Sequence, residues 1–88
     1  MKTFIKDPYA DKDYTFDWSA WLGTDELASV AFEVGTGLTL SKIVFEPDKA
    51  HVWVAGGTEG QSVIVSCKVE TVGERKDKKS VLFIIQQE

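Results

Sequence analysis

Between His51 and Thr71 two extended segments flank a glycine cluster, and no other stretch limits what this chain can become so tightly. The first, His51-Val52-Trp53-Val54-Ala55, is short and apolar. In the second, beyond Gly56-Gly57-Thr58-Glu59-Gly60, Val63, Val65, Cys67 and Val69 alternate with Ser62, Ser66, Lys68 and Glu70. A period of two gives a strand one dry face and one wet face, and only Ile64 breaks the pattern. Glycines at 56, 57 and 60 supply the positive-φ positions of a tight reversal. The two segments are therefore predicted to pair as an antiparallel hairpin.

Other runs carry the same alternation. Lys2 to Lys6 reads as a short strand that Asp7-Pro8 ends, because proline lacks a donor and turns its predecessor from helix. A polar turn from Asp7 to Asp13 follows. Tyr14, Phe16 and Trp18 then place three aromatics on one face of a strand, with Asp13, Thr15 and Asp17 on the other. Ser19-Ala20-Trp21-Leu22-Gly23 suits one helical turn, with Ser19 capping it and Gly23 ending it. A third strand should turn Ala28, Val30, Phe32 and Val34 inward before Gly35-Thr36-Gly37 reverses the chain. Leu38 and Leu40 continue the inward set, which then shifts to Ile43 and Phe45. That change of parity near Ser41-Lys42 predicts a bulge or a passage between sheets. Glu46-Pro47-Asp48-Lys49 is a turn sequence. After a charged loop, Arg75-Lys76-Asp77-Lys78-Lys79, the run Ser80-Val81-Leu82-Phe83-Ile84-Ile85-Gln86 is apolar on both faces, as in a strand packed on two sides or an edge covered by a partner.

About seven short strands, with no helix of ten residues, predict an all-β fold: an immunoglobulin-like antiparallel β-sandwich, one domain over residues 1–88. A small closed barrel is the second choice. Cys67 falls in the sixth strand, where antibody domains place one half of an inter-sheet disulfide, but the second strand has no cysteine to meet it. The expected kinship is with the wider sandwich class.

Composition excludes several functions. A net charge of −4 argues against nucleic-acid binding, since phosphate recognition draws on clustered Lys and Arg. No apolar run is long enough to span a bilayer, and the first residues lack a signal-peptide core, so no membrane role is expected. His51 is the sole histidine and Cys67 the sole cysteine, which leaves no ligand set or nucleophile–base pair to predict. No catalytic residue, metal or cofactor is assigned. Asp7, Asp11, Asp13 and Asp17 could gather with Asp25 and Glu26 as oxygen donors for calcium, but Asp13 and Asp17 sit on an alternating strand, Lys12 interrupts the cluster, and turn formation and solubility suffice to explain these acids. The glycine cluster precedes a strand and lacks the Gly-Lys-Ser/Thr of a phosphate loop. Trp21, on an irregular segment, and Trp53, opposite in parity to Val52 and Val54, are the aromatics most suited to a contact surface. With Phe83 and Ile85 of the last strand they make up the predicted partner-binding set.

Several segments, in order and spacing, resemble the phage fibre–tail adaptor family of virion-associated immunoglobulin-like proteins. They are Lys6-Asp7-Pro8, Asp13-Tyr14-Thr15-Phe16-Asp17-Trp18-Ser19-Ala20-Trp21-Leu22, Ala28 to Val34, Gly37-Leu38-Thr39, Val52 to Gly60 and Arg75-Lys76-Asp77. The most specific piece runs from Tyr14 to Leu22, while Val63 and Cys67-Lys68 depart from the pattern. The resemblance implies a non-enzymatic virion protein that docks on a tail, connector or capsid component, assembled in the host cytoplasm, in several symmetry-related copies as a homo-oligomer. The alternative is a module that binds a host-surface glycan through the same tryptophans. Gene neighbourhood and tryptophan quenching by host polysaccharide separate the two.

Overall fold

Each alternating run of the sequence is extended in the folded chain. The computed structural model describes residues 2–87. Its elements are β1 (Lys2–Lys6), β2 (Lys12–Asp17), α1 (Ser19–Leu22), β3 (Leu27–Val34), β4 (Leu38–Phe45), β5 (Lys49–Gly56), β6 (Ser62–Thr71) and β7 (Lys76–Ile85). The strands form two sheets, a four-stranded one in the order β1-β7-β6-β3 and a three-stranded one in the order β2-β5-β4. All pairings are antiparallel except β1 with β7, which run parallel. The architecture is the expected immunoglobulin-like sandwich.

The inward residues of the two sheets make the core. Val52 and Val54 of β5, Val65 and Cys67 of β6, and Phe83 and Ile85 of β7 are fully buried, together with Trp18. Aromatic rings bind the layers to one another: Phe4, Tyr14 and Phe83 form a triangle with centroids 4.7 to 5.5 Å apart, and Phe16 meets Phe32 edge-on at 5.6 Å. Such pairs add specificity to the area they bury.

Several expectations need correction. β5 and β6 do not form a hairpin, because they belong to different sheets. The glycine segment carries the chain across the end of the sandwich. Gly57 lies at φ 104°, where a Cβ would stand 3.0 Å from the Ile85 side chain, so this residue allows the crossing to close over the core. The hairpin partner of β6 is β7, and the charged segment predicted as a loop forms the first half of β7, leaving residues 72–75 as the turn. Glu74 there takes φ 65°. Ser19 is not the helix cap. Trp18 holds that position, and the Asp17 carboxylate accepts the Ser19 N–H at 2.9 Å.

Bulges account for the remaining misplacements. In β3 the register with β6 shifts between Leu27 and Ser29, so Leu27 is buried and Ala28 turns to solvent; Val34, at the strand end, is also exposed. In β4 the shift falls between Leu40 and Lys42, where the parity of the sequence places it. Beyond it Ile43 and Phe45 share a face with the buried Val52 and Ala50, yet remain 45% and 40% exposed. β4 is a sheet edge, with a neighbouring strand on one flank only.

At the crossing-loop end the Lys6 side chain is withdrawn from solvent and its ammonium donates to the Gly56 carbonyl at 2.6 Å and the Asp7 carbonyl at 2.9 Å. Burial lowers its pKa, opposed by Asp11 and Asp7.

Candidate functional site

Alternation that sends Val81, Phe83 and Ile85 into the core leaves Ser80, Leu82 and Ile84 on the outer face of the four-stranded sheet. Parallel register puts Thr3 beside Leu82 and Ile5 beside Ile84, while antiparallel register puts Ile64 on the other flank of Leu82. Ile5, Ile84, Leu82 and Ile64 thus form one apolar row across three strands, with Ile5 49% and Ile64 48% exposed. Toward the β6–β7 turn the same face becomes charged. Lys68 and Lys78 stand opposite one another, and Glu33 of β3 reaches them at 4.0 and 3.4 Å. A flat face divided into an apolar and a charged half suits contact with a macromolecule.

Phe83 and Ile85, predicted as contact residues, lie on the wrong side of β7 for that role: both are fully buried against the three-stranded sheet. Nor is β7 an edge, since it bonds to β1 on one flank and β6 on the other. Their neighbours Leu82 and Ile84 occupy the surface instead. The signal was a shared one. Ile64 was the single outward apolar residue of β6, and the two-faced apolar run of β7 pairs with it.

Trp53 stands on the outer face of the three-stranded sheet, half-buried, with the Lys42 ammonium 4.9 Å from its ring. Trp21 lies at the α1 end of the sandwich, also half-buried, so the two tryptophans do not converge. Trp21 meets Trp18 edge-on at 5.6 Å, and the Arg75 guanidinium covers it at 4.5 Å. Arg75 also donates to the carbonyls of Leu22 at 2.8 Å and Trp21 at 3.3 Å, and to Asp25 Oδ2 at 3.1 Å. It thereby caps the carbonyls of α1 and ties that turn to the β6–β7 hairpin. Asp25 Oδ1 accepts the amides of Glu26 at 2.8 Å and Gly73 at 3.0 Å. Hydrogen bonds from Thr71, from these two amides and from Arg75 hold the Asp25 pKa at about 2, against the opposing effect of burial. The specific sequence piece around Trp18-Ser19-Ala20-Trp21 therefore builds a brace.

Chemical groups are dispersed. His51 donates or accepts between Thr15 Oγ1 at 2.9 Å and Glu46 Oε2 at 2.6 Å on an open sheet face. Cys67 is buried, and loss of solvent pushes its thiol up to about 11, so it is protonated at neutral pH. Among the described residues no three His, Cys, Asp or Glu side chains come together as a metal site. A shallow trough of about 520 Å³ lies over the charged half, with Ser29, Ala31, Lys68, Glu70, Asp77 and Lys78 among its lining residues.

Comparison with known proteins adds two findings. A family model described as "Podophage GP4 fiber-tail adaptor protein gp77" matches residues 6–84. Among solved structures, the solution structure of the PKD domain from KIAA 1837 protein is similar, with a TM-score of 0.61 and 17% identity over 100% of this chain and 83% of that one. The likeness supports the sandwich fold alone. Curated protein sequences yield no match.

Proposed function

This chain belongs to the podophage GP4 fiber-tail adaptor family, gp77, and from that premise we propose that it is a non-enzymatic structural module of a phage tail, assembled in the host cytoplasm and retained in the virion. The match over residues 6–84 carries this reading. It spans β2 to β7, save the last residue of β7, and takes in only Lys6 of β1.

Docking on another tail protein would use the outer face of the four-stranded sheet. Ile5, Ile64, Leu82 and Ile84 form its apolar centre, and Lys68, Lys78 and Glu33 form a polar margin. Trp53, on the opposite outer face, is a second contact. Trp21 acts through the brace it shares with Arg75 and Asp25. Glycan binding has less to draw on, since sugar stacking needs an open ring face and both tryptophans carry a cation over theirs.

Mass spectrometry of purified virions, followed by cryo-electron microscopy, tests the reading. The expected result is this chain in the tail at a fixed copy number. Ile64→Asp should give a folded protein by circular dichroism that is missing from particles. Virions that lack the wild-type chain, yet are complete and infective, would overturn the assignment.

A further inference from the structure

Four strands end a sheet in this molecule, and their exposed sides differ. β1 carries Lys2 and Lys6 at its two ends, so an antiparallel copy of itself would set lysine against lysine. β2 exposes mainly polar side chains, and Lys79 Nζ donates to its last carbonyl, that of Asp17, at 2.6 Å. β3 is interrupted at Ala28 and exposes one large apolar side chain, Val34, at its end. β4 alone exposes three in succession: Ile43, Val44 and Phe45.

The residues that flank this triplet make it self-complementary. If two β4 edges pair antiparallel about a two-fold axis through Val44, residue 44 faces its own copy. Lys42 then faces Glu46, Ile43 faces Phe45, and each pairing occurs twice. Lys42, Val44 and Glu46 lie on one face: Lys42 and Val44 pair with Trp53 and His51 of β5, and Glu46 contacts the His51 ring. Ile43 and Phe45 lie on the other, opposite Val52 and Ala50. The two-fold arrangement therefore has a charge pair on either side of an apolar Val44–Val44 contact on one face. On the other it has two β-branched–aromatic pairs, a combination that stabilises antiparallel neighbours. The bulge at Ser41 bends the strand away and limits pairing to residues 42–46.

We propose that the β4 edge is an interface for a second copy of this chain, joining two three-stranded sheets into one six-stranded sheet, β2-β5-β4-β4-β5-β2. Such a contact is isologous and closes at two copies. It uses the unpaired main chain of an edge that would otherwise invite indiscriminate pairing. Its short length makes it weak, and association is expected only at high protein concentration. The inference is independent of the adaptor reading, because it concerns the isolated chain.

Sedimentation velocity over a concentration series tests it, with charge reversals that form a closed set. Wild type should approach a dimer as concentration rises. Lys42→Glu places four carboxylates across the axis and Glu46→Lys places four ammonium groups there, so each variant should weaken association about tenfold. The double variant restores opposite charges and should recover the dimer. Mixing the two single variants should give a heterodimer that neither forms alone. Thermal melts of each variant confirm folding, since these side chains are outside the core. Three results would each overturn the interface: a wild type monomeric at every concentration, a double variant as weak as the singles, or a Val44→Lys variant that dimerises as well as wild type.

Discussion

β4 and β7 both contain consecutive apolar residues, Ile43-Val44-Phe45 in one and Val81-Leu82-Phe83-Ile84-Ile85 in the other, yet the folded chain treats them in opposite ways. β7 lies between β1 and β6 and beneath the three-stranded sheet, so Phe83 and Ile85 lose all contact with water. β4 has a neighbour on one flank only, and Ile43 and Phe45 stay 45% and 40% exposed although they point the same way as the core. Alternation decides which way a side chain points. Whether anything lies there to cover it depends on strand order, which alternation does not encode.

The contrast is broken most forcefully at Phe83. Phe83→Ala should cost ~3–5 kcal/mol, from lost transfer energy and from a cavity beside Phe4 and Tyr14. In a domain of this size that is much of the total stability. Urea titration followed by tryptophan fluorescence measures it; a loss under about 1 kcal/mol would mean that the β7 interior is not the sealed layer described.

How the crossing segment seals that layer can be tested at Gly57. Gly57→Ala puts a methyl 3.0 Å from Ile85 at a φ of 104°, and should destabilise by about 1–3 kcal/mol. Gly60→Ala lies at a similar φ but meets nothing within 4 Å. The difference between the two variants isolates the contact from the backbone strain.

What the sequence showed and what it hid follow the same division. Strand count, the inward set of β6, the aromatic face of β2 and the bulge in β4 were all legible, because each is a local matter of parity. Pairing was not. Gly56-Gly57-Thr58-Glu59-Gly60 has the composition of a hairpin turn and serves as a crossing between sheets, and nothing local distinguishes the two. That Phe83 and Ile85, predicted as contact residues, lie in the core was not legible, since a run apolar on both faces gives no clue to which parity is dry. The brace was hidden because Asp25 and Arg75 are fifty residues apart, and only the fold reveals them as partners.

The far end of β7 provides a gentler test. Asp25 has a folded-state pKa of about 2 against an ordinary 3.8. The native state therefore binds fewer protons than the unfolded chain in that window, and stability must fall as pH falls through it. The stabilisation is complete above 3.8 and disappears below about 2. Asp25→Asn should lower stability at neutral pH and flatten the acid limb, as read from melting temperature against pH. An unchanged acid limb would show that the carboxylate does not tie α1 to the hairpin.

The smallest effect is expected at β4. Phe45→Ala removes a ring that is already 40% in water and leaves no enclosed cavity, so in dilute solution it should cost less than about 1 kcal/mol. Measured beside Phe83→Ala, it turns the comparison into a ratio between two phenylalanines of the same sandwich, both facing inward. If the β4 edge pairs with a second chain, that ratio depends on concentration. Phe45 then stabilises the dimer through Ile43 of the other copy, and its loss becomes costlier as protein concentration rises, while the cost at Phe83 stays fixed. A ratio that does not change with concentration would leave β4 as an exposed edge and nothing more.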